Sequence, residues 1–106
     1  MPKYLVEASY TREGVAGVLA KGGSSRREAV QHTIEGMGGQ LECFYFAFGD
    51  RDAFAIVDAP DDEAAAAVVM AVNGSGAVMA RTTVLLTPEQ IDEAAKRSVD
   101  YRPPGS

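Results

Sequence analysis

Tryptophan is absent from this chain, and cysteine and histidine occur once each, as Cys43 and His32. A single cysteine excludes a disulfide within the chain, and with one histidine beside it the usual zinc ligand sets cannot be assembled. Long apolar runs are missing as well: no stretch nears the roughly 18 residues of a membrane-spanning helix. The opening Met1-Pro2-Lys3-Tyr4-Leu5 lacks the layout of a secretory signal. Lys and Arg number 10 against 15 Asp and Glu, a net charge of −5. That balance argues against nucleic acid as a partner, because phosphate binding needs a basic footprint. The expectation is a cytoplasmic protein with no nucleic-acid or membrane partner, no metal and no other cofactor. What is present is 46% hydrophobic and 24% charged residues over 106 positions, enough for one globular domain and too little for two cores.

Lys3 to Ser9 alternates as a strand should, with Tyr4, Val6 and Ala8 on one side and Leu5, Glu7 and Ser9 on the other. Thr11 caps a short helical stretch carrying Val15, Val18 and Leu19, which Lys21-Gly22-Gly23 interrupts. Ser25-Arg26-Arg27-Glu28 has the spacing of a capping box, and the helix it opens carries Ala29, Val30, Ile34 and Met37 to a stop at Gly38-Gly39. Gln40 to Phe48 reads as a second strand, Gly49-Asp50 as a two-residue hairpin loop, and Arg51 to Asp58 as a third strand. Pro60-Asp61-Asp62-Glu63 suits a helix first turn, and an alanine-rich helix follows to Asn73-Gly74. Ala77 to Leu86 is a fourth strand, and Thr87-Pro88-Glu89-Gln90 opens a last helix with Ile91, Ala94 and Ala95 on its inner stripe. Ser98 to Ser106 reads as a loose polar tail.

Two βαβ units joined by a hairpin make an α+β, ferredoxin-like βαββαβ sandwich with a four-stranded antiparallel sheet. Within it the first and third strands are expected at the centre, parallel to one another, with the second and fourth at the edges. The hairpin register pairs Tyr45 with Phe54, Cys43 with Ile56 and Leu41 with Asp58. One face then carries Tyr4, Val6, Ala8, Phe44, Phe46, Ala53, Ala55 and Val57 under the helices. The other carries Leu5, Glu7, Leu41, Cys43, Tyr45, Phe54, Ile56 and Asp58. An apolar face left in water usually marks an interface. A second copy packed sheet to sheet, as a homodimeric α/β barrel or a higher assembly, would cover it; so, in part, would the last helix folding back.

Met1-Pro2-Lys3-Tyr4-Leu5-Val6, Gly22-Gly23-Ser24-Ser25-Arg26-Arg27, Phe46-Ala47-Phe48-Gly49-Asp50-Arg51-Asp52 and Ala59-Pro60-Asp61-Asp62 together resemble the GYD-domain family. The resemblance spans residues 1–97, leaving 98–106 as the tail. It implies a dimeric α/β-barrel protein whose biochemical role the family leaves uncharacterised. The chain departs from the family at the name-giving motif, where Arg51 stands in place of the tyrosine.

Glu7 and Asp58, on the two central strands, are the candidate catalytic carboxylates. On parallel neighbours they would sit close enough for repulsion to raise one pKa. Arg81 on the fourth strand is a candidate to orient an oxyanion or to pair with Glu7. The candidate pocket is Leu5, Glu7, Cys43, Tyr45, Phe54, Ile56, Asp58 and Arg81. Ser24, Ser25, Arg26 and Arg27 form a candidate anion site, with free amides and two guanidinium groups at a helix start, although the same residues also serve as a plain cap and solvated arginines. His32 should face water and Cys43 should pack as core, so no Cys–His nucleophile pair emerges. Asp50-Arg51-Asp52 lacks the further ligands of a calcium loop. The expected role is a small-molecule-binding or assembly module. The alternative is a cofactor-independent monooxygenase- or isomerase-like enzyme acting on a small aromatic or carbonyl compound.

Overall fold

The computed structural model describes residues 1–105; Ser106, the last residue of the expected tail, lies outside them. Eight elements follow in order: β1 (Lys3–Tyr10), α1 (Arg12–Lys21), α2 (Gly23–Gly36), β2 (Gln40–Phe46), β3 (Ala53–Asp58), α3 (Asp62–Gly74), β4 (Val78–Leu85) and α4 (Pro88–Ala95). The strands form one sheet in the order β2-β3-β1-β4, and every pairing is antiparallel. This is the ferredoxin-like α+β arrangement, with β1 and β3 central. Their direction differs from expectation. The α1–α2 crossover returns β2 parallel to β1 but one strand away, and the hairpin partner β3 fills the gap running the opposite way.

Local chemistry sets the element ends. Thr11 caps α1, accepting from the Gly14 amide at 3.4 Å, and Asp61 caps α3, accepting from Ala64 at 2.8 Å. The expected box at Ser25–Glu28 does not form. Gly22, with φ 87°, is a one-residue joint between α1 and α2, a backbone state that a side chain would strain. Its carbonyl accepts the Arg26 amide at 3.3 Å. The helix therefore starts two residues before Ser25, which lies inside it rather than at its cap.

Directly paired residues share a face, so the register lays out rows across the sheet. On the helix side run Val84–Tyr4–Val57–Leu41 and Thr82–Val6–Ala55–Phe44. On the other side run Arg81–Glu7–Phe54–Tyr45 and Thr83–Leu5–Ile56–Cys43. The expected pairs Tyr45–Phe54 and Cys43–Ile56 are present, but a bulge between Leu41 and Cys43 shifts Leu41 opposite Val57. One extra residue reverses every side chain beyond it. Leu41 thus belongs to the helix-side core rather than to the open face.

That core is small. Tyr4, Ala59 and Ala65 are buried together against Met37, while Ile34, Ala55 and Val57 gather Val6, Val30, Leu41, Phe44 and Val68. Asn73 ties the end of α3 to β4, accepting from the Ala80 amide at 2.7 Å and donating to its carbonyl at 3.3 Å.

The hairpin is longer than a two-residue turn. Residues 47–52 form the connection, closed by the Ala47 amide on the Asp52 carbonyl at 2.8 Å, and Phe48 projects fully into solvent.

The C-terminal helix differs most from expectation. Every residue from Leu86 to Gly105 is exposed, and Ile91 keeps 51% of its surface in water. The expected inner stripe of Ile91, Ala94 and Ala95 is exposed, and among the described residues α4 leaves the open sheet face uncovered. The radius of gyration is 16.9 Å, against about 13 Å for a compact domain of this length. No helix is long and apolar enough to cross a membrane.

Candidate functional site

The open face is built by the odd-numbered side chains of β1 and their partners. Leu5, Cys43, Phe54 and Ile56 are partly buried, whereas Tyr45 keeps 69% of its surface exposed and Met79 59%. Cys43 is a free thiol in this layer, not in the core beneath the helices.

The two candidate carboxylates do not meet. Glu7 stands opposite Phe54 on β3 and Arg81 on β4, while Asp58 stands opposite Lys3. Four residues of strand separate the two positions, about 13 Å at the usual rise. Antiparallel central strands, rather than parallel ones, are the reason. Asp58 is engaged elsewhere: Lys3 Nζ lies 2.9 Å from its Oδ1 and 2.7 Å from Glu42 Oε1. Glu42 first, then Asp58, hold the Lys3 ammonium above its ordinary pKa. Glu42 sits at the bulge, so the same irregularity that moves Leu41 also supplies this carboxylate.

Glu7 borders a hollow of about 360 Å³ at the loop end of the sheet, shared with Phe48, Asp50, Arg51 and Phe54. Arg51 therefore lines the same hollow as Glu7. Its neighbour Asp52 anchors the loop. Asp52 Oδ2 accepts the Tyr10 amide at 2.8 Å, and the Asp52 amide donates to the Ala8 carbonyl at 2.8 Å.

The four residues of the candidate anion site divide. Ser24, Ser25 and Arg27 are exposed on the first turn of α2. Arg26 turns inward, its guanidinium carbon 5.9 Å from the centre of the Tyr10 ring. Its Nε is buried without a hydrogen-bond partner. His32 is exposed, on the outer side of the helix.

On the same side lies a cavity of about 80 Å³ between α2, α3 and the sheet, bounded by Val30, Ile34, Phe44, Val68, Val72 and Val78 among others. The pairing of Phe44 and Phe46 with Ala55 and Ala53 suggests tight packing, but the small residues leave this space unfilled. The overlooked signal is spacing: Arg26 stands four and eight residues before Val30 and Ile34, on one helix stripe. At the far end of the sheet the buried Tyr4 hydroxyl donates to the Asp62 carboxylate, and chiefly for that reason the phenol is pushed up to about 12. Among the described residues no three His, Cys, Asp or Glu side chains gather as a metal site would require.

The family model described as the GYD domain matches residues 4–95. No curated protein and no solved structure gives a significant match.

Proposed function

The chain belongs to the GYD-domain family, and on that premise we propose that it acts as a homodimeric small-molecule-binding module, two sheets meeting face to face as a barrel. The observation that carries this reading is surface area. One chain exposes 7548 Å², where a compact monomer of its mass exposes about 5,700 Å². The excess is of the size that stable interfaces remove, about 800 Å² or more per partner. Two features supply it: the open face around Leu5, Tyr45, Phe54 and Ile56, and the C-terminal segment from Leu86 onward. An isolated eight-residue helix is marginal in water, so α4 favours a surface beyond its own chain. The free thiol of Cys43 is in keeping with a reducing, cytoplasmic setting.

The catalytic alternative has less support. Its carboxylate pair is separated, and Asp58 is already neutralised by Lys3. Glu7 with Arg81 across the strands and Arg51 at the loop is the remaining polar group there, and it suits orienting a ligand better than moving a proton.

Size-exclusion chromatography with light scattering tests the reading. A species of twice the chain mass at micromolar concentration is expected; a monomer would remove the barrel.

A further inference from the structure

The helix side of the sheet contains a feature that the barrel reading does not use. α2 and α3 do not close on one another. The cavity of about 80 Å³ beneath them has almost wholly apolar walls, with Val30 and Ile34 on one side and Val68 and Val72 on the other. It continues into a groove of about 440 Å³ between the two helices. Arg26 borders both, and also a cleft of about 330 Å³ beneath α1, where Glu13 and Lys21 are the other charges. Among the described residues lining the inner cavity, Arg26 carries the single charge.

Arg26 is the informative residue. A guanidinium is charged at every accessible pH and offers donors in a fixed fork. Here the Tyr10 ring orients it, yet its Nε is buried with no acceptor. A buried donor without a partner is unfavourable and uncommon in native proteins. The side chains lining the inner cavity offer no carboxylate, and its one hydroxyl is that of Tyr10, so a carboxylate entering from outside would supply the acceptor that this wall does not.

We propose that this cavity binds an amphipathic monocarboxylic acid, the carboxylate on Arg26 and the hydrocarbon or aryl body between α2 and α3. A carboxylate matches the guanidinium fork with two parallel hydrogen bonds. A phosphate ester would set about two negative charges against one cation and place further oxygens on apolar walls. A neutral hydrocarbon would fill the space and leave Nε unpaired. The inner volume is smaller than the ~150 Å³ cavity that admits benzene, so most of the body lies in the outer groove. An elongated acid fits this shape. The proposal names the ligand class for the binding role above and rests on that role, but the cavity lies within one protomer and its geometry needs no partner.

Calorimetric titration of the full chain with octanoate and, separately, 1-octanol tests it, with light scattering on the same samples. Octanoate is expected to bind roughly tenfold or more tighter than the alcohol. Arg26→Gln should bring octanoate down to the alcohol's affinity and leave the alcohol unchanged. If that variant does not fold, Arg26→Lys, which keeps the charge and removes the fork, should weaken octanoate alone. No preference for the acid, or full preference retained in the variants, would overturn the proposal while a dimer peak left the barrel standing. A monomer that binds octanoate through Arg26 would overturn the barrel and support the site.

Discussion

Asp52 and Tyr10 are joined across the loop end of the sheet, the carboxylate of one accepting the backbone amide of the other at 2.8 Å. Asp52 also donates its own amide to Ala8, so a single residue fastens the 47–52 connection to the end of β1. Asp52→Ala should remove about 1–3 kcal/mol of stability, because the Tyr10 amide loses a charged acceptor. Urea denaturation measures this. A midpoint equal to the parent's would mean that the loop is held by other contacts.

The central row of the open face offers a test of assembly. Ile56 lies between Leu5 and Cys43, remote from the helix-side core. Ile56→Glu should leave the circular dichroism of the chain intact and weaken self-association by roughly 100-fold or more, since an unpaired charge would be buried in the interface. Sedimentation across a dilution series gives the constant.

Alkaline pH should expose the Tyr4–Asp62 bond. The phenol titrates at 10.0 in the ordinary state and at about 12 in the fold, so the folded form holds its proton longer. Its stabilising contribution is complete below pH 10 and fades as pH climbs toward 12. Lys3, also raised above its ordinary value, acts in the same direction. Urea midpoints should therefore fall through this window, and fall less in Tyr4→Phe. Equal slopes for the two proteins would show that the bond makes no contribution.

Removing residues 87–106 should leave the sheet and its three packed helices folded, because the described part of that segment, 87–105, is exposed throughout. The unfolding midpoint at high dilution should stay within about 2 °C of the parent's, while dimer affinity drops. An unchanged affinity would show that α4 does not contribute to association.

Particular residues show how far the sequence could be read. Tyr4, Val6, Ala55 and Val57 alternate cleanly, and Phe44 and Phe46 face small partners, so the sheet, its order and the two faces were legible from period and topology. Strand direction was not: an amphipathic strand has the same pattern whichever way it runs, and only parallel central strands would set Glu7 and Asp58 side by side. Leu41-Glu42-Cys43 alternates equally well with or without a bulge, and only the pairing with β3 decides the face of Leu41. Arg26-Arg27 resembles any solvated pair, although consecutive helix positions point about 100° apart and just one continues the stripe of Val30 and Ile34. For α4, the stripe of Ile91, Ala94 and Ala95 shows that the helix has an apolar side, but not whose surface it meets.

That last helix carries its own start signal. Thr87 accepts from Gln90 at 3.1 Å while Gln90 accepts from Thr87 at 2.7 Å, and Pro88 fixes the first turn. A segment stiffened by reciprocal bonds before any encounter has less disorder to surrender on docking. Though marginal alone, the capped arm would give up less on reaching its counterpart, and loosening it with Thr87→Gly would weaken capture without altering the contacts finally made.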